Sequence, residues 1–139
     1  MEGVRSVRAE FERIDEHWSP RVIAAANGQF VKLAKVQGAF VWHDHADEDE
    51  VFIVWRGRLT IRFRDRPDAV LGEGDVFVVP RGVPHCPVAE EETWVMLIEP
   101  AQTRHTGGVE SPLTRSIEEQ LGDGGLHGGA PAVSFDSGH

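Results

Sequence analysis

Between Val22 and Glu99 the chain consists of short segments rich in valine, isoleucine, phenylalanine and tryptophan, broken at Gly28, Gly38, Gly57, Gly72, Gly74 and Gly82. Segments of that composition, punctuated at that spacing, are the pattern of an all-β sandwich or barrel. The stretch LTIRFR shows it most clearly. Side chains alternate along a strand, so Leu59, Ile61 and Phe63 share one face while Thr60, Arg62 and Arg64 share the other. One face is buried and one is wet.

The flanks read differently. In SVRAEFERIDEHWSP the apolar residues Val7, Phe11, Ile14 and Trp18 recur at helical spacing, Ser6 is a candidate cap and Pro20 a stop. Residues 1–21 are therefore expected as a helical segment packed on a barrel of residues 22–100. Residues 101–139 form an extension, with a possible short helix around TRSIEEQL and then the glycine-rich end GDGGLHGGAPAVSFDSGH, too poor in apolar surface to order itself. At 139 residues this is one domain, large enough to hold its own core. The formal charge of -9 and the absence of any lysine or arginine cluster argue against nucleic acid and anionic membrane as partners. A single cysteine, no long apolar run and a charged first stretch lead us to expect a cytoplasmic protein with small-molecule or protein partners.

Chemistry concentrates in GAFVWHDHADEDEVFIVWRG, residues 38–57. On a strand, His43 and His45 project from one face and Asp44 from the other, so two imidazoles can reach one point, the spacing a metal requires. An isolated H-x-H is also what chance produces in a chain with seven histidines. Parity adds Glu50, which shares a face with Phe52 and Val54. A carboxylate opening a buried strand needs a cation. Asp47, Glu48 and Asp49 read as a solvated turn. Further on, the Pro-Arg-Gly-Val-Pro corner of GEGDVFVVPRGVPHCPVA delivers His85 in a closely defined direction.

These residues resemble the cupin family. Gly38, His43, His45, Glu50 and Gly57 are similar to its first motif, with Gly38 one residue closer to the first histidine than usual. Gly74, Pro80, Gly82 and His85 are similar to its second, although Ala89 stands where an asparagine is common. The resemblance implies a double-stranded β-helix, a small jelly-roll barrel, in which His43, His45, Glu50 and His85 hold one divalent transition metal. That donor set suits Fe, Mn, Ni, Zn or Cu. It also implies a metal-dependent enzyme of oxygenase, isomerase or lyase type acting on a small organic molecule. A non-catalytic metal-dependent binding or sensing module is the alternative, and a metal that only braces the barrel is a third reading.

Other residues carry narrower expectations. Trp42 is expected off the ligand face as a packing residue, and Cys86, beside His85, as a buried inert thiol. Arg56 reads either as an anion contact at the barrel mouth or as a surface arginine. Phe52, Phe63, Phe77, Trp94 and Met96 are expected to line the barrel or its core, and His17, His105, His127 and His139 to lie on the surface. If Glu50 points inward, Val51, Ile53 and Trp55 point outward, an apolar stripe for a second subunit or the N-terminal helix to cover. A homodimer is expected.

Overall fold

The computed structural model describes residues 3–108 and 111–125. Seven antiparallel strands make the body: β1 (Arg21–Ala26), β2 (Gln29–Ala39), β3 (Glu50–Arg56), β4 (Leu59–Phe63), β5 (Ala69–Leu71), β6 (Val76–Val79) and β7 (His85–Pro100). Two helices flank them, α1 (Val7–Glu12) and α2 (Ile117–Gly125). The fold is the jelly-roll barrel expected.

Strand β7 organises the barrel because it is long enough to serve two neighbourhoods. Its first residues pair with β4, from Phe63 opposite His85 to Thr60 opposite Val88. Its later residues lie between β2 and β3, with Leu97 opposite both Lys32 and Phe52. Between the two halves the chain turns a corner at the exposed residues Glu90, Glu91 and Glu92. Gly57 makes that corner possible. A Cβ there would sit 2.7 Å from the Thr93 hydroxyl, and φ is +96°, which other residues rarely adopt. Thr93 uses the contact, donating to the Arg58 carbonyl at 3.1 Å.

The period-2 pattern sorts side chains as the sequence predicts. Leu59, Ile61, Phe63, Phe52 and Val54 are buried inside, and Phe77 packs against them. Trp94 and Met96 are core residues of the outer face, where Trp94 joins Phe11, Ile14, Ile23 and Leu33 in a second cluster under α1 and Met96 packs against it. Parity explains the side: inside positions of β7 are Val95 and Leu97, so their neighbours face out.

Helix α1 is shorter than its apolar stripe suggests. Ser6 caps it as expected, accepting from the Ala9 N–H at 3.1 Å, but the helix ends at Glu12. Trp18 is not on it. With φ of +59°, Trp18 follows a bridge between His17 and Lys35, donates its backbone N–H to the Lys35 carbonyl at 2.9 Å and its indole N–H to the Gln37 carbonyl at 2.9 Å. Pairing with β2 satisfies more backbone groups than another turn of exposed helix would, so tertiary bonding overrides the 3.6-residue spacing.

Helix α2, interrupted at Gly122, docks Ile117 and Leu121 on Val22, Phe30 and Ala101. Its start is a reciprocal cap: the Glu119 N–H donates to the Ser116 hydroxyl at 3.0 Å and the Ser116 N–H to the Glu119 carboxylate at 2.7 Å. His127, His139 and most of the glycine-rich end lie outside the described residues. No helix among the described residues is long and apolar enough to cross a membrane.

Phe11 is fully buried and stacks on Trp94 at 4.8 Å between ring centroids. Phe11→Ala is expected to lower the unfolding free energy by about 3 to 4 kcal/mol, read from urea denaturation, because the barrel beneath cannot collapse into the space.

Candidate metal centre

Backbone pairing brings the site together. His43 and His85 form an isolated bridge, the His43 N–H donating to the His85 carbonyl at 3.0 Å and the His85 N–H to the His43 carbonyl at 2.9 Å. Around His43 the chain is a single bridge, not the regular strand expected, yet the alternation survives: His43 and His45 are buried and Asp44 is exposed. Glu50 opens β3 and is 3% exposed. The proline-bounded corner before His85 is tied back to the first loop, since the Gly82 N–H donates to the His45 carbonyl at 2.8 Å and the Arg81 N–H to Asp49 at 2.9 Å.

The four side chains converge. One ligand atom from each of His43, His45, Glu50 and His85 lies within 4.8 Å of the others, so the group could hold a metal ion. The donor chemistry fits. The Nδ1 atoms of His43 and His85 each meet a carbonyl oxygen two residues back, Val41 and Val83, both at 2.9 Å. A carbonyl can only accept, so each neutral ring carries its proton on Nδ1 and keeps a lone pair on Nε2. Both Nε2 atoms are buried and have no hydrogen-bond partner. Buried polar atoms are rarely left so unless they serve a ligand. His45 Nε2 lies 3.1 Å from Glu50 Oε1, and His85 Nε2 is 3.6 Å from the same oxygen.

The electrostatics follow from burial and proximity. Burial and the neighbouring His85 push the His43 pKa down to about 4. For His45 burial acts downward too, but the Glu50 carboxylate outweighs it and the net shift is upward. Burial alone would raise Glu50, whereas the His45 ring, with Nε2 3.1 Å from Oε1, and the nearby His85 ring hold it well below the usual carboxylate range.

A second buried ionic cluster lies beside these four and went unremarked in the sequence. Lys32 and Glu99 are both fully buried, Nζ 2.6 Å from Oε2, and Glu99 is close enough to Glu50 to feel its charge. Burial raises Glu99 to about 8; Lys32 opposes the shift and the Glu50 charge adds to it. The parity signal was available: Lys32 is in phase with Phe30 and Ala34, and Glu99 with Val95 and Leu97, all of them buried.

Several expected placements change. His105 is not a surface residue but 5% exposed, with its ring stacked on Phe40 at 5.6 Å between centroids. It is buried because residues 101–108 fold back against the His43–His45 segment. Gly107, at φ +61°, packs so closely on the Asp44 carbonyl that no Cβ could fit. Of the two readings of Arg56 the surface arginine holds: it is exposed and lies over the Trp94 ring on the outer face, 3.9 Å from its centroid. Trp42 is off the ligand face, under Arg64 at 4.5 Å. Cys86 is buried, and desolvation raises its thiol pKa. His17 is half-exposed and pairs with Glu92 at 2.9 Å.

Burial also lowers His105, to about 3, with Lys32 contributing. His43 and His105 thus take up protons near the ordinary 6.5 when unfolded, but only near 4 and 3 when folded. Their stabilising contribution is complete above pH 6.5 and is lost as pH falls through that window; the raised His45 and Glu99, the latter at about 8, work in the opposite sense and offset much of it. Between roughly pH 7 and 4.5 the metal-free protein is expected to lose about 2 kcal/mol more than a His105→Phe variant, which lacks one of the two depressed rings, read from the urea midpoints. An equal pH dependence in the two proteins would contradict the buried neutral placement of His105.

Comparison with known proteins agrees with this architecture. A family model described as Cupin domain matches residues 29–100. The protein YdbB of Bacillus subtilis is 35% identical over 85 residues, covering 61% of this chain and 75% of its own. Among solved structures, a cupin-2 domain containing protein from Shewanella frigidimarina is 52% identical with a TM-score of 0.68, over 70% of this chain and 94% of that one. Protein NMB1881 from Neisseria meningitidis is 30% identical with a TM-score of 0.66, over 70% and 99%. Barrel, sequence match and structural neighbours agree, and the chain belongs to the cupin family.

Proposed function

We propose that His43, His45, Glu50 and His85 bind one divalent transition metal (Fe, Mn, Ni, Zn or Cu) and that the protein is a metal-dependent enzyme acting on a small organic molecule. The observation that carries this reading is the pair of buried Nε2 lone pairs, on His43 and His85, facing Glu50 beside a cavity of about 40 Å³ that His43 and Glu50 help to line. A barrel of this size can be filled with apolar side chains, so desolvating three imidazoles and two carboxylates points to use.

When bound, the metal would supply a Lewis acid, and four protein ligands leave an octahedral ion two positions for water or substrate. The chain's own residues do the rest. The Val41 and Val83 carbonyls fix two imidazoles as Nδ1–H tautomers and so aim their Nε2 atoms. Lys32, its Nζ 2.6 Å from Glu99 Oε2, offsets the charge of the buried carboxylates Glu50 and Glu99. Phe52, Leu59 and Leu97 line the cavity and keep bulk water from the polar cluster. The buried free thiol and the acidic surface are consistent with a cytoplasmic protein whose partners exclude nucleic acid.

A second copy of this chain is proposed to cover the outer face of β3 and β6. Val76 and Val78 are 60% and 48% exposed there, paired across from Ile53 and Val51. Helix α1 reaches only the Trp55 end, through Phe11, and β6 ends the sheet with one edge unpaired among the described strands.

Elemental analysis tests the metal reading. Wild type should carry about one ion per chain, His45→Ala should carry none, and Glu50→Gln should bind roughly 10- to 100-fold more weakly while Glu48→Gln is unchanged. Equal metal content in wild type and His45→Ala would overturn the assignment. Azide should perturb the spectrum of the cobalt-substituted protein, and turnover of a panel of diketones, phenolic acids and sugars, followed by oxygen uptake and isomerisation, separates an enzyme from a sensor. For the dimer, light scattering should give twice the monomer mass at tens of micromolar. Val78→Glu should give the monomer, and a monomeric wild type would rule the interface out.

A further inference from the structure

Residues 101–108 lie beyond the matched cupin domain, which ends at Pro100, yet they supply part of the cavity wall. The segment is built to stay there: Gly107 packs on the Asp44 carbonyl with no room for a side chain, and Ala101 joins the core under α2. It carries His105 to a wall on which Trp18, Phe40 and His105 stack in series, with centroid separations of 4.6 Å and 5.6 Å. Phe40 in turn meets the His43 ring edge-on at 5.5 Å.

The hydrogen bonding of His105 settles its tautomer. The Arg115 backbone N–H points at His105 Nε2, 2.6 Å away, and a backbone N–H can only donate. Nε2 is therefore the acceptor, and the proton of the neutral ring sits on Nδ1. Burial keeps the ring neutral, its pKa lowered to about 3. His105 thus offers one polar hydrogen, Nδ1–H, on a ring that lines the cavity shared with His43 and Glu50.

We infer that His105 is a substrate-contacting residue, its Nδ1–H donating to an acceptor oxygen of a small, uncharged molecule with a planar apolar body lying along the Trp18–Phe40–His105 wall. The remaining wall selects for that class. Leu59, Pro87 and Leu97 are apolar, and among the described residues no lysine or arginine lines the cavity to receive a phosphate or sulfate. Lys32 is near but engaged with Glu99. This inference rests on the reading of the same cavity as a metal-dependent site, and deepens it by naming what the cavity accepts.

Acetophenone, uncharged and with one carbonyl acceptor, is the probe, and glucose 6-phosphate the counter-probe, each titrated calorimetrically into metal-loaded full-length protein. Wild type should bind acetophenone and not glucose 6-phosphate. His105→Phe keeps the stack and loses the donor, and should weaken acetophenone about tenfold, the scale of one hydrogen bond at a buried site. His105→Asn places an amide N–H near the Nδ1 position and should stay within about threefold of wild type. Both variants lose the acceptor for Arg115, so any loosening of the segment is common to them and only the donor differs. Equal affinity in wild type and His105→Phe overturns the inference, as does preference for glucose 6-phosphate or no acetophenone binding up to its solubility limit. Nitrogen-15 shifts of the His105 ring in wild type should report the Nδ1–H tautomer at neutral pH; an Nε2–H ring would also overturn it. Metal content measured on the same samples keeps the two readings apart: full loading with probe affinity indifferent to His105 sinks this inference alone, whereas His45→Ala loaded as fully as wild type sinks the metal reading.

Discussion

Two reciprocal backbone hydrogen bonds between His43 and His85 hold the site, and much of the barrel answers to them. They join the loop entering β3 to the start of β7, and so set both imidazoles beside Glu50 before any side chain makes a contact of its own. For β7 to begin there and still reach β2 and β3 with its second half, it must turn at Glu90–Glu92, and Gly57 must leave room for Thr93. The ties from Gly82 and Arg81 to the first loop serve the same geometry. Rotamers alone could not place four polar side chains this closely; the backbone carries the precision.

The barrel interior is electrostatically divided. Beside the apolar layer of Phe52, Val54, Leu59 and Ile61 lie six buried groups able to carry charge, counting Lys32 and Glu99 with the Glu50 carboxylate and the imidazoles of His43, His45 and His85. Such a cluster is tolerable only because members lean on one another: His45 on Glu50, and Glu99 on Lys32. A divalent ion would relieve the repulsion among the imidazoles and carboxylates, so metal affinity and fold stability are linked here. The 101–108 segment closes over this polar centre with an aromatic wall and one oriented donor, which gives the cavity two ends of different chemistry.

Where a residue's role follows from the alternation of one strand, the sequence is readable. His43, His45, Glu50, Phe52 and Phe63 all take the face that parity assigns, because a buried strand cannot slip by one residue without turning its apolar set to water. Lys32 and Glu99 obey the same rule, but a lone charge inside an apolar alternation reads as surface until its partner is seen on the next strand. Trp18 departed for another reason. Helical spacing says that a residue is buried, not against what, and pairing with β2 decided where it lies.

Length, acidity, strand punctuation and the two histidine-bearing motifs are properties of the chain itself, and they determined the barrel and its cluster of donors, since local alternation and turn chemistry act over a few residues. Tertiary structure decided what depends on groups far apart in the chain: that Arg56 stacks on Trp94 and not at the mouth, that Lys32 meets Glu99, and that His105 turns inward. For His105 the reason is plain. Nothing in the residues around it is periodic, and its burial comes from Gly107 against Asp44 and Ile117 against Val22, contacts between distant segments that only the folded chain creates.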